Sequence, residues 1–280
     1  MSQVEYFNPQ SLAEALDLLE LWSERAVIVN GGTDIVEKIA CGDINPGAII
    51  FIQGIPELKR IYVEKDYVFV GGAVTYKEII NSWMLKQFSA LIQSASEIGS
   101  PAIRVLATPA GNIGTAVPAA DCNVALIALD AEIVLAGKSG ERIVPAREMF
   151  TGYCKTQLMP YELIKEIRFP VLGQNSGSAF LKIARRKAQD IAQVSVGVRL
   201  TVDGDVCSDI KIVLGSVGPE AFRAYSLEKL MLGKDIRQGA QAVKGIFPTE
   251  CCLRSPRNRA FKEAVVGVLA ERAILSAYYE

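Results

Sequence analysis

Apolar residues along the chain follow two periods. Between residues 8 and 25, Leu12, Ala15, Leu16, Leu19 and Trp22 recur every three or four positions, which predicts an amphipathic helix capped by Ser11 or Asn8. A short apolar run, Ala26-Val27-Ile28-Val29, then reads as a strand, and Ile35 to Ile39 as a second helical pattern. Strand and turn are expected over 46–56, and two β-rich runs over 61–63 and 67–70. Thr75 and Glu78 fit a capping box opening a helix over 78–83, and a longer helical pattern fills 87–98. The apolar run Val124 to Leu129 predicts a buried helix, with Asp121 placed where its N-cap should be. A hairpin is expected over 131–145; the segment 147–170 after it contains Gly152 to Thr156 and then Glu162 to Ile167, and ends at Pro170.

The pattern changes beyond Gly173-Gln174-Asn175-Ser176-Gly177-Ser178, which is the best linker candidate. Runs 179–186 and 193–202 read as strands, and Asp203-Gly204 suits a type I′ turn from which Ile210 to Val217 pairs back. Helices over 226–232 and from about 256 to 279 close the chain. The fold class is therefore α+β, with one boundary near 172–177 and a softer one near 54–60. This divides the chain into parts 1–56, 57–174 and 175–280.

Two stretches stand apart because they are nearly free of bulky side chains. Asn30-Gly31-Gly32-Thr33-Asp34 joins a strand to a helix, an arrangement that presents backbone N–H groups to an anion. The segment from Ala107 to Asp121, ATPAGNIGTAVPAAD, is a second small-residue loop ahead of a helix. Taken alone, an ordinary tight turn is the plainer reading of the first, and a packed connection explains the second equally well. Neither matches G-x-G-x-x-G, and the phosphate-loop motif is absent: Gly137-Lys138-Ser139 would put its first glycine on Glu132.

Composition narrows the chemistry. Thirty basic residues against thirty-one acidic leave a net charge of −1, so neither nucleic acid nor a membrane is expected as a partner. No apolar run reaches the roughly eighteen residues of a membrane span, and MSQVEYFNPQ has no signal-peptide character, so the cytoplasm is the expected location. The six cysteines are scattered without C-x-x-C, which fits reduced thiols. With no histidine in the chain, there can be no histidine base and no His-ligated metal or haem. Chemistry on this chain would fall to an organic cofactor.

The glycine-rich stretches, with three more segments in the same order, resemble the FAD-binding subunits of the molybdenum hydroxylases, of the xanthine, carbon monoxide and nicotinate dehydrogenase types. Asn30-Gly31-Gly32-Thr33-Asp34 looks like the family's A-G-G-T-D. Ile98-Gly99, the run Ile103 to Ile113, and then Ala116, Pro118 and Asp121 resemble I-G-x-x-x-I-R-N-x-A-T-I-G-G-N-I-x-x-A-x-P-x-x-D. Phe150 to Thr156 looks like F-x-x-G-Y-R-K-T, Lys182 through Ala192 is similar to K-x-x-x-R-x-x-x-D-x-A, and Ser255 to Arg259 resembles the opening of the family's last helix. Departures are Pro109 and Ala110 within T-I-G-G-N, Val105 for Asn and Cys154 for Arg.

The resemblance implies a two-lobed FAD-binding domain of the vanillyl-alcohol-oxidase-like (PCMH) type, with a smaller C-terminal α/β domain. It implies that the FAD pyrophosphate lies on the N–H groups of Val29, Asn30, Gly31, Gly32, Thr33, Asp34 and Ile35. Thr108, Gly111, Asn112, Thr115 and Asp121 would line the second loop, Ile98 and Ile164 would touch the isoalloxazine, and Lys182 would lie at its polar edge. Asp121 as a plain helix cap and Lys182 as a solvated surface lysine are the structural alternatives. The implied activity is that of an oxidoreductase subunit: electrons arrive from 2Fe-2S clusters on one partner chain, the substrate is oxidised at molybdopterin on another, and NAD or a different acceptor is reduced. A non-catalytic scaffold with weakened FAD binding, motivated by Pro109 and Ala110, and a stand-alone flavin oxidoreductase are the rival readings.

Overall fold

The structure is a computed structural model that describes residues 4–186, 189–253 and 258–279. At the N-terminus, β1 (Glu5–Phe7) leads into α1 (Leu12–Trp22), whose cap is Ser11: its side chain accepts from the Glu14 N–H at 3.2 Å. β2 (Ala26–Val29), α2 (Ile35–Ala40) and β3 (Ala48–Phe51) follow, and the three strands form a parallel sheet in the order β1-β3-β2. Ala15 and Leu19 of α1 are buried with Ile50, Ile52, Ile55 and Leu58, and this small core continues onto Ala73, Ala136 and Leu163. The first lobe is therefore packed against the next.

That second layer is an antiparallel five-stranded sheet. Its strands are β4 (Ile61–Glu64), β5 (Tyr67–Gly71), β6 (Glu132–Gly137), β7 (Gly140–Pro145) and, after a small β8–β9 pair (Phe150–Gly152, Lys155–Thr156), β10 (Leu163–Pro170). The sheet order is β4-β5-β10-β6-β7. Between β5 and β6 lie five helices: α3 (Tyr76–Asn81), α4 (Ser89–Glu97), α5 (Pro101–Arg104), α6 (Pro109–Thr115) and α7 (Asp121–Ala128). The capping box is present: the Thr75 side chain accepts from the Glu78 N–H while Glu78 accepts from the Thr75 N–H. All eight residues of α7 are buried, the polar Asp121 and Asn123 of its first turn along with the apolar run that follows them.

The C-terminal part is a sheet in the order β11-β12-β13-β14 (Ser176–Ile183, Val194–Asp203, Val206–Gly215, Phe222–Arg223). It is covered by α8 (Tyr225–Met231), α9 (Ile236–Val243) and α10 (Arg259–Tyr279).

Several expectations need correction. The linker candidate overlaps β11, which begins at Ser176, and a Cβ on Gly177 would overlap the Ala277 carbonyl of α10. That glycine serves close packing rather than flexibility. The β12–β13 turn falls one residue later than expected: Asp203 pairs with Val206, Gly204 has φ +60° and Asp205 is not left-handed, which is the type II′ pattern. A third closing helix, α9, was missed because it is short and carries Gly239 in its middle. Part of the Ser255 to Arg259 resemblance lies outside the described residues, and α10 is described from Arg259. All six cysteines are unpaired.

Candidate functional site

The first loop leaves β2 after the buried Val29 and runs to the half-buried Ile35 that starts α2. Asn30 is buried, and its Nδ2 donates to the Gly72 carbonyl at 2.7 Å while its Oδ1 has no donor. Gly31 is pressed against the second loop, since a Cβ there would overlap the Leu106 carbonyl. Gly32 has φ +71°, a conformation that suits glycine. Among the described residues, the N–H groups of Gly31, Gly32, Thr33, Asp34 and Ile35 donate to no backbone acceptor, so they remain free for a ligand. Asp34 occupies the cap position of α2 but makes no cap bond; its carboxylate pairs with Lys38 at 2.6 Å.

The second loop is more ordered than its composition suggested. Thr108 caps α6, accepting from the Gly111 N–H at 3.0 Å, and Thr115 Oγ1 donates to the Gly111 carbonyl at 2.9 Å. Pro109 stands at the first helical turn, where its missing N–H would have had no helical partner. The buried Ala110 packs into the main core. The Asn112 Oδ1 is buried without a donor, and Ala116 closes the helix in the left-handed conformation at φ +53°.

Asp121 and Lys182 overturn both of their simple readings. Asp121 is the first residue of α7, not its cap; Ala120 holds the cap position, and no side-chain cap bond is made. Lys182 is not a surface lysine. The two side chains are 6% and 5% exposed, and Lys182 Nζ lies 2.7 Å from Asp121 Oδ2. Asp121 Oδ1 is buried and without a donor. Burial pushes the Asp121 carboxyl up to about 6, an effect that Lys182 opposes and Glu97 reinforces.

These pieces adjoin one another. Gly72 joins the first loop to β10, because a Cβ there would overlap the Ile164 carbonyl and its N–H donates to the Lys165 carbonyl at 2.7 Å. Ile98 follows directly on α4 and packs against the main core; its carbonyl accepts from Arg104 Nη1 at 2.9 Å, and its neighbour Glu97 gives its own carbonyl to Lys182. Sequence reasoning missed Gly71-Gly72, although the pair follows a strand as Gly31-Gly32 does. It also missed Gln53, whose Nε2 donates to the Leu106 carbonyl at 2.7 Å, for which no sequence signal exists.

The two loops and the start of α7 thus hold free N–H groups, on residues 31–35, and the buried, unpaired acceptors Asn30 Oδ1, Asn112 Oδ1 and Asp121 Oδ1. A ligand that carries both phosphates and hydroxyls answers both needs, since phosphate accepts from N–H and hydroxyl donates to the orphaned oxygens. Among the described residues no cluster of three or more His, Cys, Asp or Glu could hold a metal ion.

Two lobes joined by apposed backbone loops and closed by a third sheet define a nucleotide-cofactor-binding flavoprotein scaffold. The chain belongs to the FAD-binding family of the molybdopterin dehydrogenases: residues 2–172 match the FAD binding domain in molybdopterin dehydrogenase, and 179–277 the CO dehydrogenase flavoprotein C-terminal domain. The carbon monoxide dehydrogenase medium chain of Hydrogenophaga pseudoflava is 31% identical, with 98% of this chain and 96% of that one covered. The nicotinate dehydrogenase FAD-subunit of Eubacterium barkeri is 31% identical over 83% of this chain and 81% of its own. A solved carbon monoxide dehydrogenase from Hydrogenophaga pseudoflava superposes with a TM-score of 0.90 at 30% identity, covering 99% of this chain and 98% of that one. The expected fold class and oxidoreductase assignment both hold, and the relatives are subunits of dehydrogenase complexes. Among the described residues no helix is long and apolar enough to cross a membrane.

Proposed function

We propose that this chain is the flavin subunit of a cytoplasmic, multi-subunit molybdenum hydroxylase. In this reading it works beside an iron–sulfur subunit and a molybdopterin subunit that carries the substrate site. Bound FAD would supply the redox chemistry, collecting electrons that originate at the molybdenum centre and passing them to NAD or another acceptor.

The observation that carries the reading is the apposition of the two loops at Gly31 and Leu106, with free N–H groups and the orphaned, buried Asn30 Oδ1 in the first of them. Of residues 29–35, Gly31 to Ile35 would hold the pyrophosphate through their free main-chain N–H groups. Thr108, Gly111, Asn112 and Thr115 would shape the second wall, and Asp121 would accept from a ligand hydroxyl. Ile98 and Ile164 would supply apolar contact for the ring system. Lys182 would hold positive charge beside it, favouring the reduced flavin. Pro109 at the first turn of α6 and Ala110 buried in the core support the flavin reading over the scaffold, since neither disturbs the helix that follows the loop.

The test is a visible absorbance spectrum of the full chain, purified with its partners and alone, before and after addition of FAD. Stoichiometric flavin absorbance is the expected result. A chain that stays colourless in excess FAD, within a complex that still reduces its acceptor, would sink the proposal.

A further inference from the structure

Three elements converge on one buried ammonium group. Lys182, on β11, donates to Asp121 at the start of α7 and to the Glu97 carbonyl at the end of α4, the latter at 3.1 Å. The Glu97 carboxylate stands 3.8 Å from the same nitrogen, and its side chain is 48% exposed. The lysine is thus shared between an inner carboxylate that has one free oxygen and an outer carboxylate in contact with water.

Lys182, Glu97, Tyr76 from α3 and Cys122 on its own helix are the groups that bear on Asp121. Burial pushes the Cys122 thiol up to about 12 and the Tyr76 hydroxyl well above its ordinary range, so both stay neutral near pH 7. Lys182 and Glu97 remain as the charges that govern Asp121. Lys182 favours its ionised form, and Glu97 opposes it. Ionised Asp121 offers Oδ1 as an acceptor; protonation weakens its hold on Lys182 and reduces that capacity.

Resting on the flavin reading above, we propose that Glu97 is a positioning residue for the cofactor site, acting through Lys182 and Asp121 to set the pH below which the site releases its cofactor. The sign follows from linkage. A ligand hydroxyl that donates to Asp121 Oδ1 stabilises the ionised carboxyl, so FAD binding and protonation compete. Affinity is full above the titration of Asp121 in the free protein, at about pH 6, and falls below it by at most about tenfold per pH unit. Removing the Glu97 charge eases ionisation of Asp121, so the fall moves to lower pH, by roughly half a unit given the exposure of Glu97.

The experiment uses the full chain stripped of flavin and titrated with FAD, with flavin fluorescence quenching read from about pH 5 to about pH 8. The expected wild-type profile declines below about pH 6; Glu97→Gln displaces it to lower pH, Glu97→Asp restores it, and Asp121→Asn flattens it. A wild-type affinity that does not change with pH, or a Glu97→Gln profile superimposable on wild type, overturns the proposal and leaves the flavin reading standing. Wild-type protein that binds no FAD at the upper end of the range overturns the flavin reading and this proposal together. Glu97 is half exposed, so its variants test the idea even where Asp121→Asn does not fold.

Discussion

Gly31 has no side chain, and none would fit: a Cβ there overlaps the Leu106 carbonyl and crowds Ala107 Cα. Gly31→Ala must therefore push the two loops apart. The expected result is a loss of about 1–3 kcal/mol in FAD affinity, read by fluorescence titration, because overpacking displaces backbone rather than a flexible side chain. Pro109→Ala should leave FAD binding unchanged. At the first turn of α6, Pro109 removes no bond the helix needs, so the variant should bind FAD as wild type does and change stability by less than about 1 kcal/mol in urea. At this scale the sequence was legible wherever a residue type states a backbone need, as at Gly31 and Gly32. It misled where the meaning of a residue depends on its position in a helix, as at Asp121, which begins α7 and does not cap it. The Asp121–Lys182 bridge joins residues 61 positions apart and leaves no local trace.

At the scale of elements, periodicity predicted α1, the α3 capping box, α7 and the β12–β13 pair because each has a clear apolar pattern or cap. It could not foresee α6, whose small residues carry no apolar stripe and whose start is fixed by Thr108. β10 is anchored to β7 by a different device. Arg142 grips Glu162 with Nε and Nη2, at 2.7 and 2.8 Å, just ahead of the strand. Burial alone would raise the Glu162 carboxyl, but Arg142 and the Met159 N–H outweigh it and hold the carboxyl below its usual range. The stability from this shift is fully present above the unfolded-state titration near pH 4.5 and is lost as pH falls through the lowered folded-state value. Glu162→Gln should accordingly cost about 1–3 kcal/mol at pH 7 and much less in strong acid, as read from urea midpoints at both pH values.

For the whole molecule, the C-terminal sheet is tied to the second layer at both ends of α7. At one end stands the Asp121–Lys182 bridge. At the other, Asp130, left-handed at φ +54°, reaches Arg199 Nη1 at 3.1 Å and Lys211 Nζ at 2.6 Å on β12 and β13. Asp130→Asn should lower the unfolding free energy by about 1–2 kcal/mol, a figure discounted because the carboxylate is about one-third exposed. Differential scanning calorimetry at low and high salt would register the change, with a smaller difference at high salt. The change of grammar near residue 175 was visible in the sequence because hairpin strands replace mixed helices and strands. The way the parts close on α7 was not, because charge pairs across sheets follow no period.

The two glycine loops lie in the first half of the chain and meet each other directly, at Gly31 and Leu106. Lys182 comes to them from elsewhere, on the β11 strand of the C-terminal sheet, which pairs with β12 and meets α10 where Gly177 touches Ala277. A disturbance of α10 at Ala277 would therefore reach the lysine along its strand while leaving the contact between the loops in place.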